Sequence, residues 1–199
     1  MVSVLIIGQP NVGKTSFLLN FARYLGLEEV KFMIKQPAGF ISTRTYTLDQ
    51  AYDTLISDDP HKTDNIHSIK LNLPVGKHNK VIRLVDSCGL SDEGDINIKN
   101  RKAMAQTLQE LIESEIILHM IDLSQFQSDF HLGVIDQEIY SFLFNKAGYK
   151  VLANKVDLDF GFKKLSKLNK VVDKRLVIPI SALYQEGFTK VKSFLLENV

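Results

Sequence analysis

The apolar run Val2 to Ile7 passes directly into Gly8-Gln9-Pro10-Asn11-Val12-Gly13-Lys14-Thr15, and this junction constrains the fold more than any other stretch of the chain. Val4, Leu5, Ile6 and Ile7 contain no polar residue, which suits a strand buried on both faces. Gly8 and Gly13 let the backbone turn tightly and keep Cβ atoms away from a ligand. Successive N–H groups in such a turn form a concave nest for anions, and a helix starting near Gly13 adds the positive end of its dipole. Lys14 supplies a mobile point charge for terminal phosphates, and the Thr15 hydroxyl is a ligand for Mg2+. Strand, glycine loop and helix in this order make a phosphate-binding loop. Gly8, Asn11, Val12, Gly13, Lys14, Thr15 and Ser16 are therefore the candidate polyphosphate-binding residues.

Length and composition set the outer limits. A chain of 199 residues is expected to form one domain over 1–199, and 45% hydrophobic residues are ample for its core. The net charge of +1 gives no whole-molecule field that recruits nucleic acid. Cys88 is the single cysteine, so an intrachain disulfide is excluded and a reducing, cytoplasmic setting is expected. No apolar run reaches membrane-spanning length, and neither terminus reads as a signal peptide or a prenylation site.

Apolar runs at 2–7, 67–75, 80–86, 115–122, 149–154 and 175–180 read as strands. Helical patterns fall at about 14–26, 98–114, 131–146, 162–172 and 184–198. Their alternation predicts a three-layer α/β fold: a mostly parallel six-stranded sheet with helices on both faces. The turn Pro74 to Asn79 is expected to join two strands antiparallel, at one edge. Residues 28–66 break this rhythm, and so long a connection points to function or disorder. Its Tyr46–Ile56 part suits a short helix or strand, and Ser57-Asp58-Asp59-Pro60 reads as an exposed turn.

Three further motifs follow strands. Asp86-Ser87-Cys88-Gly89 closes the third; Asp86 can hold Mg2+, usually through water, and the Gly89 N–H can reach a terminal phosphate. The stretch Ser91 to Asp95 after it reads as flexible. Asn154-Lys155-Val156-Asp157 follows the fifth. The Asp157 carboxylate can accept from the ring N1–H and the exocyclic amine of guanine, and adenine offers no such pair of donors. Asn154 can bond the base or brace the phosphate loop, and the Lys155 stem can cover the base face. Ser181-Ala182-Leu183 follows the last strand, where the Ala182 N–H can meet the guanine O6.

In this unpermuted order the motifs resemble a small GTP-binding G domain of the P-loop GTPase superfamily, and Gly8 to Thr15 is similar to its Era/TrmE-like branch. The resemblance implies binding of GTP and GDP with Mg2+, hydrolysis of GTP, and a nucleotide-dependent switch that contacts an effector. It implies Mg2+ ligation by Thr15 and Asp86, joined by a switch threonine. Pro37 to Arg44 is the nearest likeness to that switch, with Thr43 the first choice and Thr45 and Thr47 its rivals. Lys14, Thr43 and Gly89 are the expected catalytic set, with a minor role open for Arg44. Leu90 stands where Ras-like proteins orient water with glutamine, so help is expected from a partner or a monovalent cation. Asn11 matches an asparagine that ligates K+ in some relatives.

Two other classes compete: a non-catalytic GTP-dependent interaction protein and a ribosome-assembly GTPase, the second unsupported by charge. The basic stretch of Lys163, Lys164, Lys167, Lys170, Lys174 and Arg175 reads first as a solvated helix face. His61, His67, His78, His119 and His131 show no metal-ligand spacing, and Asp122, Asp129 and Asp136 have no partner evident in the sequence.

Overall fold

The first strand is apolar on both faces because it lies at the centre of the sheet. A computed structural model describes residues 1–36, 39–56, 65–75, 77–90, 98–125 and 131–199. The strands are β1 (Val2–Ile7), β2 (Glu29–Lys35), β3 (Ile41–Thr47), β4 (Ile66–Val75), β5 (His78–Asp86), β6 (Ile116–Asp122), β7 (Tyr149–Asn154) and β8 (Val177–Pro179). They form one sheet in the order β3-β2-β4-β5-β1-β6-β7-β8. β1 pairs in parallel with β5 and β6, and β7 and β8 continue the parallel side. The longer helices are α1 (Lys14–Tyr24), α2 (Leu48–Leu55), α3 (Ile98–Glu113), α4 (Val134–Leu143), α5 (Lys163–Val171) and α6 (Phe188–Asn198).

Alternation along β1 divides the core. Val4 and Ile6 face a cluster with residues of α1, α2 and α6, whereas Leu5 and Ile7 face one with residues of α3, α4 and α5. On the first face Phe188 is fully buried, with its ring centroid 5.2 Å from Phe17, 5.5 Å from Phe21 and 5.7 Å from Tyr24. Among the described residues no helix is long and apolar enough to cross a membrane.

The fold class agrees with the sequence, but the sheet is wider than expected: eight strands among the described residues, not six. The β4–β5 hairpin is antiparallel as read, yet it is not the edge, because β2 and β3 extend the sheet beyond it. These two strands and α2 occupy much of the 28–66 connection. In β2 Val30, Phe32 and Ile34 turn inward, with Lys31 and the apolar, half-buried Met33 between them, and β3 is exposed along most of its length. So short and polar a hairpin gives a weak alternation signal. Glu110 of α3, 1% exposed, ties this wing down: it takes both Arg83 amino groups at 3.0 and 3.2 Å and Lys35 at 3.3 Å. The expected turn at 57–60 and flexible stretch at 91–95 lie outside the described residues, as do Pro37, Ala38, His61 and Asp129.

Phe188→Ala removes the ring on which α1 and α6 meet. Urea unfolding is expected to show a loss of about 3–5 kcal/mol; a loss below about 1 kcal/mol contradicts this packing.

Candidate functional site

The loop that leaves β1 is shaped by close packing against its neighbours. Gly13 has φ 99°, and a Cβ there would lie 2.5 Å from Asn154 Nδ2. Glycine is required on both counts. From this point α1 starts, with Lys14 in its first turn and 7% exposed. Lys14 Nζ donates to Gly8 O at 3.2 Å and Gln9 O at 2.7 Å, so the ammonium folds back across the loop. Burial lowers the Lys14 pKa, while Asp86 opposes the shift. Val12 is buried, Ser16 is half-buried, and Asn11 is exposed in the left-handed region at φ 59°.

Asp86, at the end of β5, is brought to the same place. Thr15 Oγ1 donates to its Oδ2 at 2.6 Å, while its Oδ1 is buried without a partner. Burial pushes the carboxyl pKa up to about 6, against the lowering pull of Lys14 and Thr15. An orphaned carboxylate oxygen beside a hydroxyl is a hard donor set that suits Mg2+, which takes few protein ligands and completes its shell with phosphate and water. Among the described residues no group of three or more His, Cys, Asp or Glu side chains could hold a metal, so phosphate and water would have to supply most of that shell.

The turn after Asp86 lies on the loop. Leu90 N donates to Gly8 O at 3.2 Å, and a Cβ on Gly89 would meet Pro10 N at 2.6 Å. Leu90 is 4% exposed and packs in the second core, which removes it from any role in orienting water. Ser87 and Cys88, whose roles the sequence left open, anchor this turn. Ser87 Oγ donates to Ile6 O at 2.8 Å, and Cys88 Sγ lies 3.0 Å from Thr107 Oγ1 of α3.

The far end of the site is organised by Asn154. Its Nδ2 donates to Val12 O at 2.7 Å, and its Oδ1 accepts from Ala182 N at 2.9 Å. The bond to Val12 matches one of the two roles read for Asn154, bracing of the loop. The Ala182 N–H expected to meet a base is already donated to this asparagine, while Ala182 O accepts from Asn20 Nδ2 at 2.9 Å. Ser181 is fully buried, and its Oγ accepts from Tyr184 N at 3.2 Å. Lys155 takes φ 63° and reaches Asp122 Oδ2 at 2.6 Å, so Asp122 has the partner that the sequence did not reveal. Asp157 is half-buried in the short turn Val156–Leu158 that follows.

One expected residue is not brought in. Thr43 lies in β3, paired with Met33, with β2, β4 and β5 between it and β1. Four strand spacings put it about 19 Å away across the sheet. The hairpin pairing of β2 with β3 is the reason: it makes a strand of the segment read as a loop. The rivals do no better, since Thr45 pairs with Lys31 and Thr47 caps α2, accepting from Gln50 N. Arg44, also in β3, is exposed and lies 3.4 Å from the Tyr46 hydroxyl.

A family model described as "50S ribosome-binding GTPase" matches residues 42–155. The tRNA modification GTPase MnmE of Thermotoga maritima is 26% identical over 189 residues, covering 95% of this chain and 34% of that protein. GTPase Obg of Thermodesulfovibrio yellowstonii is 29% identical over 101 residues, 47% of this chain and 30% of that protein. The chain thus spans about a third of the length of these relatives. Among solved structures, an Era variant from Aquifex aeolicus bound to GDP·AlF4− superposes with a TM-score of 0.67 at 22% identity, over 99% of this chain and 56% of that one. Era in complex with MgGDPNP and a 16S ribosomal RNA segment gives 0.66 at 20% identity, with the same coverage. At these identities the likeness speaks for the fold.

Asp86 also generates a pH prediction. Its folded-state pKa of about 6 lies above the ordinary carboxyl value of 3.8. Its contribution to stability is therefore fully present below about pH 4 and is lost as pH rises through about 6. Asp86→Asn is expected to stabilise the nucleotide-free chain at pH 8 by up to about 3 kcal/mol, with no gain near pH 4, in denaturant titrations. A destabilised variant at pH 8 contradicts this reading of the carboxylate.

Proposed function

Since the chain belongs to the 50S ribosome-binding GTPase family, we propose that it binds GTP with Mg2+ at the loops after β1, β5, β7 and β8 and hydrolyses it to GDP and phosphate. The observation that carries this reading is the Asp86–Thr15 pair, with its unpartnered carboxylate oxygen beside Lys14. In this reading the backbone N–H groups from Asn11 to Ser16 cradle the polyphosphate, and Lys14 carries positive charge to its terminal groups. Thr15 and Asp86 would hold Mg2+, which when bound neutralises charge on the phosphates. Asp157 takes the guanine edge. The Lys155 stem lies over the base while Asp122 holds its ammonium. The Gly89 turn, packed on Pro10, presents an N–H towards the terminal phosphate and shifts when that phosphate leaves.

Water attack needs a charge supplied from outside Leu90. We place K+ beside the phosphates, with Asn11 as its side-chain ligand, as the source of positive charge where it develops in the transition state. A second reading, action on the ribosome or its RNA, is favoured by the family description and by the Era complex with 16S ribosomal RNA. It adds a partner to the switch without altering the chemistry.

Multiple-turnover phosphate release from GTP tests the proposal. The intact chain is expected to turn over, faster in K+ than in Na+, and Lys14→Ala to lose activity on the order of a hundredfold. Equal rates in the two salts remove the K+ assignment. Turnover unaffected by Lys14→Ala contradicts the catalytic assignment.

A further inference from the structure

Gln9 has a side chain to which the reading above gives no part. Its carbonyl holds Lys14 Nζ at 2.7 Å, and its side chain reaches out of the loop, where Nε2 donates to Asp136 Oδ2 at 2.8 Å. Asp136 belongs to α4 and is 5% exposed. Its other oxygen lies 2.9 Å from Nε2 of His119, a fully buried residue of β6. His119 Nδ1 lies 2.8 Å from the hydroxyl of Tyr149, on β7.

The direction of this chain of bonds follows from its members. An ionised carboxylate only accepts, so His119 Nε2 carries the proton and, in a neutral ring, Nδ1 accepts. Burial pushes the Tyr149 phenol pKa well up, so the hydroxyl keeps its proton and donates. Tyr149 then donates to His119, His119 donates to Asp136, and Gln9 donates to Asp136 from the other side. Each of these buried polar atoms has one partner, and the charge-assisted bonds at Asp136 are the strong kind. The chain crosses from β7 through β6 and α4 to the loop, and Tyr149, His119 and Asp136 are all buried.

We propose that Asp136, oriented by His119 and Tyr149, is a positioning residue for nucleotide binding: it fixes Gln9 and so holds Lys14 and the loop in their phosphate-receiving shape. A glycine-bearing loop left free would lose conformational entropy each time it closed on phosphates, and a loop anchored from behind has lost it in advance. The carboxylate also lies close enough to act electrostatically on Lys14, in the sense that keeps the ammonium charged. The inference rests on the guanine-nucleotide reading of the site.

The test uses the full chain, titrated with the fluorescent probe mant-GDP in Mg2+, with steady-state GTP hydrolysis measured in parallel. Gln9→Met keeps the bulk of a half-exposed side chain and removes its amide; it is expected to weaken mant-GDP about tenfold, the scale of one hydrogen bond to a charge. Tyr149→Phe removes only a hydroxyl, well behind the loop. It is expected to weaken binding about threefold and to raise KM for GTP with kcat held within about twofold. In the double variant Tyr149→Phe is expected to have no further effect, because the link it acts through is already cut. Wild-type affinity in Gln9→Met, or losses that multiply in the double variant, overturns the proposal while leaving the nucleotide reading intact. A wild-type chain that does not bind mant-GDP defeats that reading, and this inference with it.

Discussion

The Asn154 side chain is the constraint on which the site depends. One amide donates to the loop after β1 and accepts from the loop after β8, and it sits at the end of β7. Its two bonds are buried, where an unpaired amide group costs about 1–3 kcal/mol, so the three loops are held together or not at all. The parallel part of the sheet makes this junction available. With β1 flanked by β5 and β6, the carboxyl ends of the strands open on one side, at the position where ligands enter such sheets.

Charge is arranged around this junction in a consistent way. Lys155 meets Asp122, and Asp136 meets His119 and Gln9, so each of these buried carboxylates is satisfied within the protein. Asp86 differs: it keeps one buried oxygen without a partner, and burial holds its pKa at about 6. Such a group destabilises the chain that contains it unless a cation completes it, which links folding to the ligand in this region. Further out, buried Glu110 joins α3 to Lys35 of β2 and Arg83 of β5, which ties α3 to the antiparallel wing.

Much of the site was legible because it is local. Strand, glycine loop and helix follow one another without a break, and Asp86 and Asn154 each sit at the end of an apolar run. What was not legible depended on contacts between distant residues. Gln9 and Asp136 are 127 positions apart, and neither residue type signals the other. The Ala182 N–H looked available for a base because the Asn154 oxygen that accepts it comes from the end of another strand. Thr43 lies apart from the loop for a different reason: alternation in β2 is short and broken by the apolar Met33, so a paired hairpin looked like an open connection.

Selectivity for the purine is the claim on which the proposed function turns, and calorimetry reads it directly. Titrating the chain with GTP and with ATP, each with Mg2+, is expected to show GTP bound at least about a hundredfold more tightly, since adenine leaves Asp157 unpaired. Equal affinity for the two nucleotides, or heat from neither, would contradict the account.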